Sequence, residues 1–237
     1  MTMIIGEGAE DINIRMPKDI YDNSNHESTF NVYLTVVVRD NKGRVIRTHR
    51  QRSHSPTANF RTAILPEQWY RETGTSASWT NTSGTTNTII SIPDGSHSLI
   101  SYPNSNTNYQ TYLVGIMVGS GQQSNPESAY KLAAPIANGT GAGQLIYQPP
   151  TLPSQIMING NSAYFYIEQT YVNQSGGTVT ITEVGIVVEV YITKYTGAST
   201  ATYNQGNILM WYDVLSSPIS VPNGGSVTIY FTFMVNP

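Results

Sequence analysis

The 237-residue chain contains no cysteine. Disulfides and cysteine-based zinc sites are therefore excluded, and the redox compartment is left open. Charge is scarce as well: 11% of residues are Asp, Glu, Lys or Arg, against about 25% in an ordinary soluble domain. No run approaches the ~18 apolar residues of a membrane-spanning helix. The N-terminus, MTMIIGEGAEDINIRMPKD, has a short apolar start with no basic region before it. It is not read as a secretory signal, and synthesis in a cytoplasm is expected. No amphipathic helical period of ordinary length occurs.

Ser, Thr, Asn, Gln and Gly stand where charge is missing, together with 16 Tyr. This composition favours β-structure and is richer in Tyr, Val and Ile than a disordered chain. The charge that exists is uneven: residues 1–75 hold ten of the twelve Lys and Arg and nine of the fifteen Asp and Glu. Low charge density weakens repulsion between copies, which suits a subunit that packs against others. A soluble β protein with a neutral surface would have the same composition. Asn81, Asn138 and Asn173 match the N-x-Ser/Thr sequon, which is read as chance in a chain rich in these residues.

Residues 1–29 read as an irregular acidic arm, either frayed or laid along a neighbour. Residues 30–237 read as a single β domain, made of a basic hairpin with a short helix (30–73), a polar loop region (74–108) and a main β-sandwich (109–237). In the hairpin, FNVYLTVVV and RVIRTHRQR flank the turn Asp40-Asn41-Lys42-Gly43, with Gly43 left-handed. Asn59 is expected to cap a short helix carrying Phe60, Ala63, Ile64 and Trp69, limited by Pro66. Residues 74–87 read as a polar loop. Further strands are expected at Thr88–Ile92, Tyr109–Val118, Gly143–Tyr147, Ala163–Val172, Thr178–Thr193, Ile208–Val214 and Val227–Val235, separated by Gly- and Pro-bearing turns. Residues 125–136 read as short helix or loop. The fold class is all-β, a β-sandwich or jelly roll of roughly eight to ten strands.

The most β-prone run, TVTITEVGIVVEVY (178–191), carries two carboxylates in apolar company. By the two-residue alternation of a strand, Glu183 and Glu189 share one face. Six residues at ~3.3 Å each put them about 20 Å apart, beyond the ~5–9.5 Å of a glycosidase-type carboxylate pair. Glu183 is instead read as a structural carboxylate, bonded to backbone N–H groups or to an arginine of the hairpin.

Other chemistry finds little support. His49 and His54 stand among Arg47, Arg50 and Arg52, a surround that disfavours a metal cation. Ser, His and Asp are present, but no G-x-S-x-G elbow is. The pieces VGSGQQ (118–123) and NGTGAGQ (138–144) lack the helix N-terminus that phosphate loops need, and read as turns. No catalytic, metal-binding or cofactor-binding residue is assigned. Arg39, Lys42, Arg44, Arg47, Arg50 and Arg52 form a basic cluster. Two readings stand: contact with phosphates of nucleic acid, or pairing with local carboxylates or a neighbouring subunit. The regional balance of charge favours the second. The tyrosine-rich YFYIEQTY (164–171) admits glycan or receptor binding, or padding of sheets and interfaces.

Three stretches, YLVGIMVGSGQQSNPESAYKLAAPI (112–136), YFYIEQTYVNQSGGTVTITEVGIVVEVY (164–191) and ILMWYDVLSSPISVPNGGSVTIYFTFMV (208–235), carry a V-G-S-G turn, an I-T-E-V-G strand and a final glycine-bearing hairpin. Together with VVVRDNKGRVIRTHRQRSHSPTANF near the N-terminus, they resemble β-rich virion structural proteins of bacterial and archaeal viruses, in tailed-phage and related particles. The resemblance implies a non-enzymatic, self-assembling component of a capsid, vertex or tail, located in the virion. Its partners would be copies of itself and other virion proteins. The alternative is a receptor- or glycan-binding adhesion module. A hydrolase would need a site that the sequence does not display.

Overall fold

The computed structural model describes residues 29–53, 56–62, 76–90, 115–151, 156–195 and 200–236. The arm up to Ser28, the Pro93–Gly95 turn, and the helix positions Ala63, Ile64 and Trp69 lie outside these residues.

Alternating apolar runs produce the strands. β1 (Thr29–Arg39), β2 (Val45–Arg52), β8 (Ser162–Val172) and β11 (Ser226–Asn236) form one antiparallel sheet with the short β6 (Ile146–Tyr147) and β7 (Met157–Asn159). Its order is β2-β1-β11-β8-β6, and β7 also pairs with β8. β9 (Val179–Tyr195) is the middle strand of a second antiparallel sheet, between β10 (Thr200–Val221) and β5 (Gly115–Gly119). β3 (Ser76–Thr80) and β4 (Thr86–Ile90) pair as a hairpin. The fold is all-β.

Side chains of both larger sheets meet in one core. Val32, Leu34, Val36 and Val38 of β1 join Ile229 and Phe231 of β11, Tyr171 of β8, and Ile181, Val184, Ile208 and Leu209 of the second sheet. Each such side chain contributes about 1.5–3 kcal/mol by leaving water. Gln169 and Tyr171 of β8 also bind β5 through polar groups. The N–H of Ile116 donates to Gln169 Oε1 at 2.7 Å, and the Tyr171 hydroxyl donates to the carbonyl of Ile116.

Two of the crossings between the sheets, after β8 and after β10, are tied together by Asn173. Its buried amide donates to the carbonyls of Gly177 and Val221, both at 2.8 Å. The backbone of Asn173 bonds Gly224 and Gly225, and Asn223 accepts from the N–H of Gly176.

Three sequence readings change. Residues 74–87 are not only loop, because they contain β3 and the start of β4. Asn81 Oδ1 closes their turn by accepting from the N–H groups of Ser83 and Thr85, with Gly84 at φ +84°. Asn59 is not a helix cap. It lies inside a helical turn at 58–62, where Thr57 accepts the first bonds, and its side chain exchanges two hydrogen bonds with the backbone of Thr80. A side-chain clamp onto a strand 21 residues away competes successfully with local capping. Finally, β10 runs well beyond Ile208–Val214 because three register shifts let it continue through polar residues.

Candidate functional site

Glu183 sits on the middle strand of the second sheet, fully buried. The sequence around it explains its place. Thr180 is exposed, Thr182 half-buried and Val184 buried, so β9 passes from surface to interior at this point. An isolated carboxylate there would cost several kcal/mol. Four donors offset that cost. Ala134 N–H donates to Oε1 at 2.7 Å and Gly121 N–H to the same oxygen at 3.2 Å. Ala133 N–H donates to Oε2 at 2.9 Å and the Tyr212 hydroxyl at 2.7 Å.

No arginine of the N-terminal hairpin bonds this carboxylate among the described residues; the partners are three backbone amides and one phenol. Burial, above all, raises the pKa of Tyr212, and the neighbouring Glu183 adds to the rise. The Gln123 N–H bond to the phenol oxygen, 2.7 Å, acts in the opposite sense. The phenol therefore stays protonated and remains a donor.

The glycines around this carboxylate have a steric reason. A Cβ on Gly119 would lie 2.3 Å from Glu183 Oε1 and 2.7 Å from the carbonyl of Ala134. A Cβ on Gly121 would meet Ala133 Cβ at 2.7 Å and Ala134 N at 2.8 Å. The V-G-S-G turn and the I-T-E-V-G strand thus form the two halves of one clamp. It holds residues 119–135 against β9, aided by the Thr182 hydroxyl donating to the carbonyl of Gly121 at 2.7 Å. The acceptor sites of the carboxylate face protein donors, so the clamp organises structure. The sequence alone does not single out Gly121, Ala133 and Ala134, whose backbone donors carry no side-chain signal, nor Tyr212, one of 16 tyrosines.

Glu189 is also buried, opposite Asn207 on β10. Asp213 forms a third buried group: the hydroxyl of Ser53 donates to its carboxylate and the indole N–H of Trp211 donates to Ser53 Oγ.

The basic cluster is divided among several tasks. Asp40 accepts from the N–H groups of Lys42 and Arg44 and pairs with the Arg44 guanidinium. The Arg44 side-chain hydrogen bond holds the Asp40 carboxyl below the usual range. Gly43 takes the left-handed conformation at φ +78°, and Arg39 donates to its carbonyl. Arg47 donates to the Pro218 carbonyl at 2.8 Å and to Ser217 Oγ at 2.7 Å, where β10 bulges. Gln51 assists by donating to the carbonyl of Val214 and accepting from the N–H of Ser216. Arg50 stacks 4.9 Å from the centre of the Tyr33 ring. Arg52 and Lys42 are exposed. The structure places Arg39, Arg44 and Arg47 in contacts within the chain.

The tyrosine-rich segment does not present its rings as one surface. Tyr164 and Tyr171 are buried on opposite faces of β8, and Tyr166 packs edge-on against Tyr230. Glu168 lies opposite Tyr230 across the strands. Burial raises its pKa, and a hydrogen bond with Tyr230 partly counters this.

An apolar surface lies where the larger sheet ends. Phe60 contacts Trp211 edge-on, and Trp211 contacts Phe233. Beyond Phe233, on the same side of the sheet, Phe30 (53% exposed), Val235 (46%), Phe165 (36%) and Ile158 (79%) stand on four adjacent strands. Phe165 stacks on Phe233 with ring centres 4.8 Å apart.

No helix among the described residues is long and apolar enough to cross a membrane, and these residues contain no cluster of three or more metal-ligating groups. Comparison with models of protein families, with curated proteins and with solved structures found no match.

Proposed function

We propose that the chain is a non-enzymatic structural protein that associates with copies of itself, as a component of a virion capsid, vertex or tail. The carrying observation is the exposed apolar surface of Phe30, Ile158, Phe165 and Val235 at the end of the larger sheet. Contiguous exposed apolar surface on a water-soluble protein marks a contact with another macromolecule. Aromatic side chains supply large area at little entropic cost in such contacts. Low charge density keeps repulsion between copies small.

Electron microscopy of the purified chain tests this reading. Regular rings, shells or tubes are expected, together with co-sedimentation with nuclease-resistant particles from the source. A uniform monomer that is absent from such particles would overturn it. The adhesion alternative would show itself as binding on a glycan array by the monomeric chain.

A further inference from the structure

The sequence holds three Asn-Gly pairs, at 138–139, 159–160 and 223–224. A glycine after asparagine leaves its own backbone nitrogen unshielded by a side chain, so that nitrogen can attack the asparagine amide. The structure treats the three pairs differently. Asn138 Oδ1 accepts from the N–H of Tyr147 at 3.0 Å, and the N–H of Gly139 donates to the carbonyl of Leu145 at 3.1 Å. Asn223 Oδ1 accepts from the N–H of Gly176 at 3.0 Å, and the N–H of Gly224 donates to the carbonyl of Asn173 at 2.7 Å. In both pairs the attacking nitrogen and the amide it would attack are each bonded to another part of the chain.

Asn159-Gly160 is placed otherwise. It lies at the tip of the hairpin between β7 and β8, where Asn159 stands opposite Ser162 and Gly160 and Asn161 form the two-residue turn. The ladder ends at Asn159 and Ser162, so the N–H of Gly160 stands outside it. Asn159, Gly160 and Asn161 are exposed. Gly160 is left-handed at φ +59°, and a Cβ built on it would meet nothing within 4 Å.

We propose that Asn159 is a site of spontaneous deamidation, and that its conversion weakens association between copies. The Gly160 nitrogen bonds to Asn159 Cγ, the bond from Cγ to the amide nitrogen breaks, and the Gly160 proton leaves with that nitrogen as ammonia. Water then opens the cyclic imide at one of its two carbonyls. One product is aspartate. The other is isoaspartate, in which the former side chain carries the main chain. Either product adds a negative charge. Isoaspartate also lengthens the main chain by one atom, beside a turn whose two-residue length sets the register Ile158↔Ala163.

The consequence for association rests on the self-association reading. Ile158 adjoins Asn159 and belongs to the exposed apolar surface with Phe30, Phe165 and Val235. A new carboxylate beside it loses water when a second copy covers that surface, which is costly for an unpaired charge. Coverage in turn shields the hairpin from the reaction. Chains that stay unassembled thus lose the ability to assemble, and assembled ones keep it.

The test ages the purified full chain at low concentration in mildly alkaline buffer, beside the full-length Asn159→Gln variant, whose longer side chain closes the ring far more slowly. Peptide mapping by mass spectrometry reads the acid formed at each Asn-Gly pair, and sedimentation equilibrium reads association before and after ageing. Thermal melts confirm that both chains remain folded. Asn159 should convert on the order of tenfold faster than Asn138 and Asn223, which must first break their bonds. The aged parent should associate on the order of tenfold more weakly than the fresh one, and the aged variant as tightly as when fresh. Conversion at Asn138 or Asn223 as fast as at Asn159 overturns the assignment. Full conversion of Asn159 with undiminished association, or equal weakening of the aged variant, overturns the link to association and leaves the self-association reading standing. A fresh parent that stays monomeric overturns that reading and the link with it, while the mapping still decides the deamidation site.

Discussion

Glu183→Gln preserves shape but replaces one acceptor oxygen with an NH2 group that must face protein donors. At least one backbone N–H or the Tyr212 hydroxyl loses its partner inside the core. The expected loss is about 1–3 kcal/mol, read by urea unfolding. Tyr212→Phe should cost a similar amount, since both Glu183 and the N–H of Gln123 lose a bond. The carboxylate itself was legible as an oddity, a charge in an apolar strand. Its partners were not, because the donors at Gly121, Ala133 and Ala134 lie 49 to 62 residues away and are backbone groups. The same scale holds a pH prediction. Burial raises the pKa of Glu168 above 4.5, so the folded chain holds that proton more tightly than the unfolded chain. This group penalises folding above its folded pKa, and the penalty is removed as pH falls through that value toward 4.5. Glu168→Gln should therefore melt higher than the parent near pH 7, and the difference should shrink on acidification. A constant difference across that range would contradict this.

At the scale of elements, Asn173→Ala should loosen the crossings after β8 and after β10 at once. The carbonyl of Val221 loses a buried donor and that of Gly177 a part-buried one, the latter keeping the Ser175 hydroxyl at 3.2 Å, so the cost is about 1–3 kcal/mol. Urea unfolding gives the cost, and hydrogen exchange should quicken at Gly176 and Gly224 together. Strands with clear alternation were legible to within a few residues: β1, β2, β8, β9 and β11. β3 was hidden because Ser76-Ala77-Ser78 carries little apolar signal, although Trp79 is buried in the core. The length of β10 was hidden for a different reason. Its bulge between Val214 and Ile219 is held by Arg47 and Gln51 from β2, a tertiary effect that local pattern does not encode. The three sequon asparagines have local tasks instead. The side-chain oxygens of Asn81 and Asn173 accept nearby N–H groups, as does that of Asn138 from Tyr147.

At the scale of the whole molecule, composition pointed to an all-β chain with weak self-repulsion, and the core now shows how its two larger sheets close on each other. The position of the exposed apolar surface was not legible. Phe30, Phe165 and Val235 belong to strands that also carry core residues such as Leu34, Ile167 and Phe231, and only the three-dimensional arrangement decides which residues remain uncovered. Because Phe30 and Ile158 are largely exposed, replacing both with Ser should change folding stability little, by about 0.5 kcal/mol or less per site. The most direct measurement is sedimentation equilibrium of the parent chain beside this Phe30→Ser, Ile158→Ser variant across a wide range of concentration. Self-association of the parent, lost or strongly weakened in a variant that melts as the parent does, is the predicted result. A parent that remains monomeric throughout, or a folded variant that associates as tightly as the parent, would contradict the account.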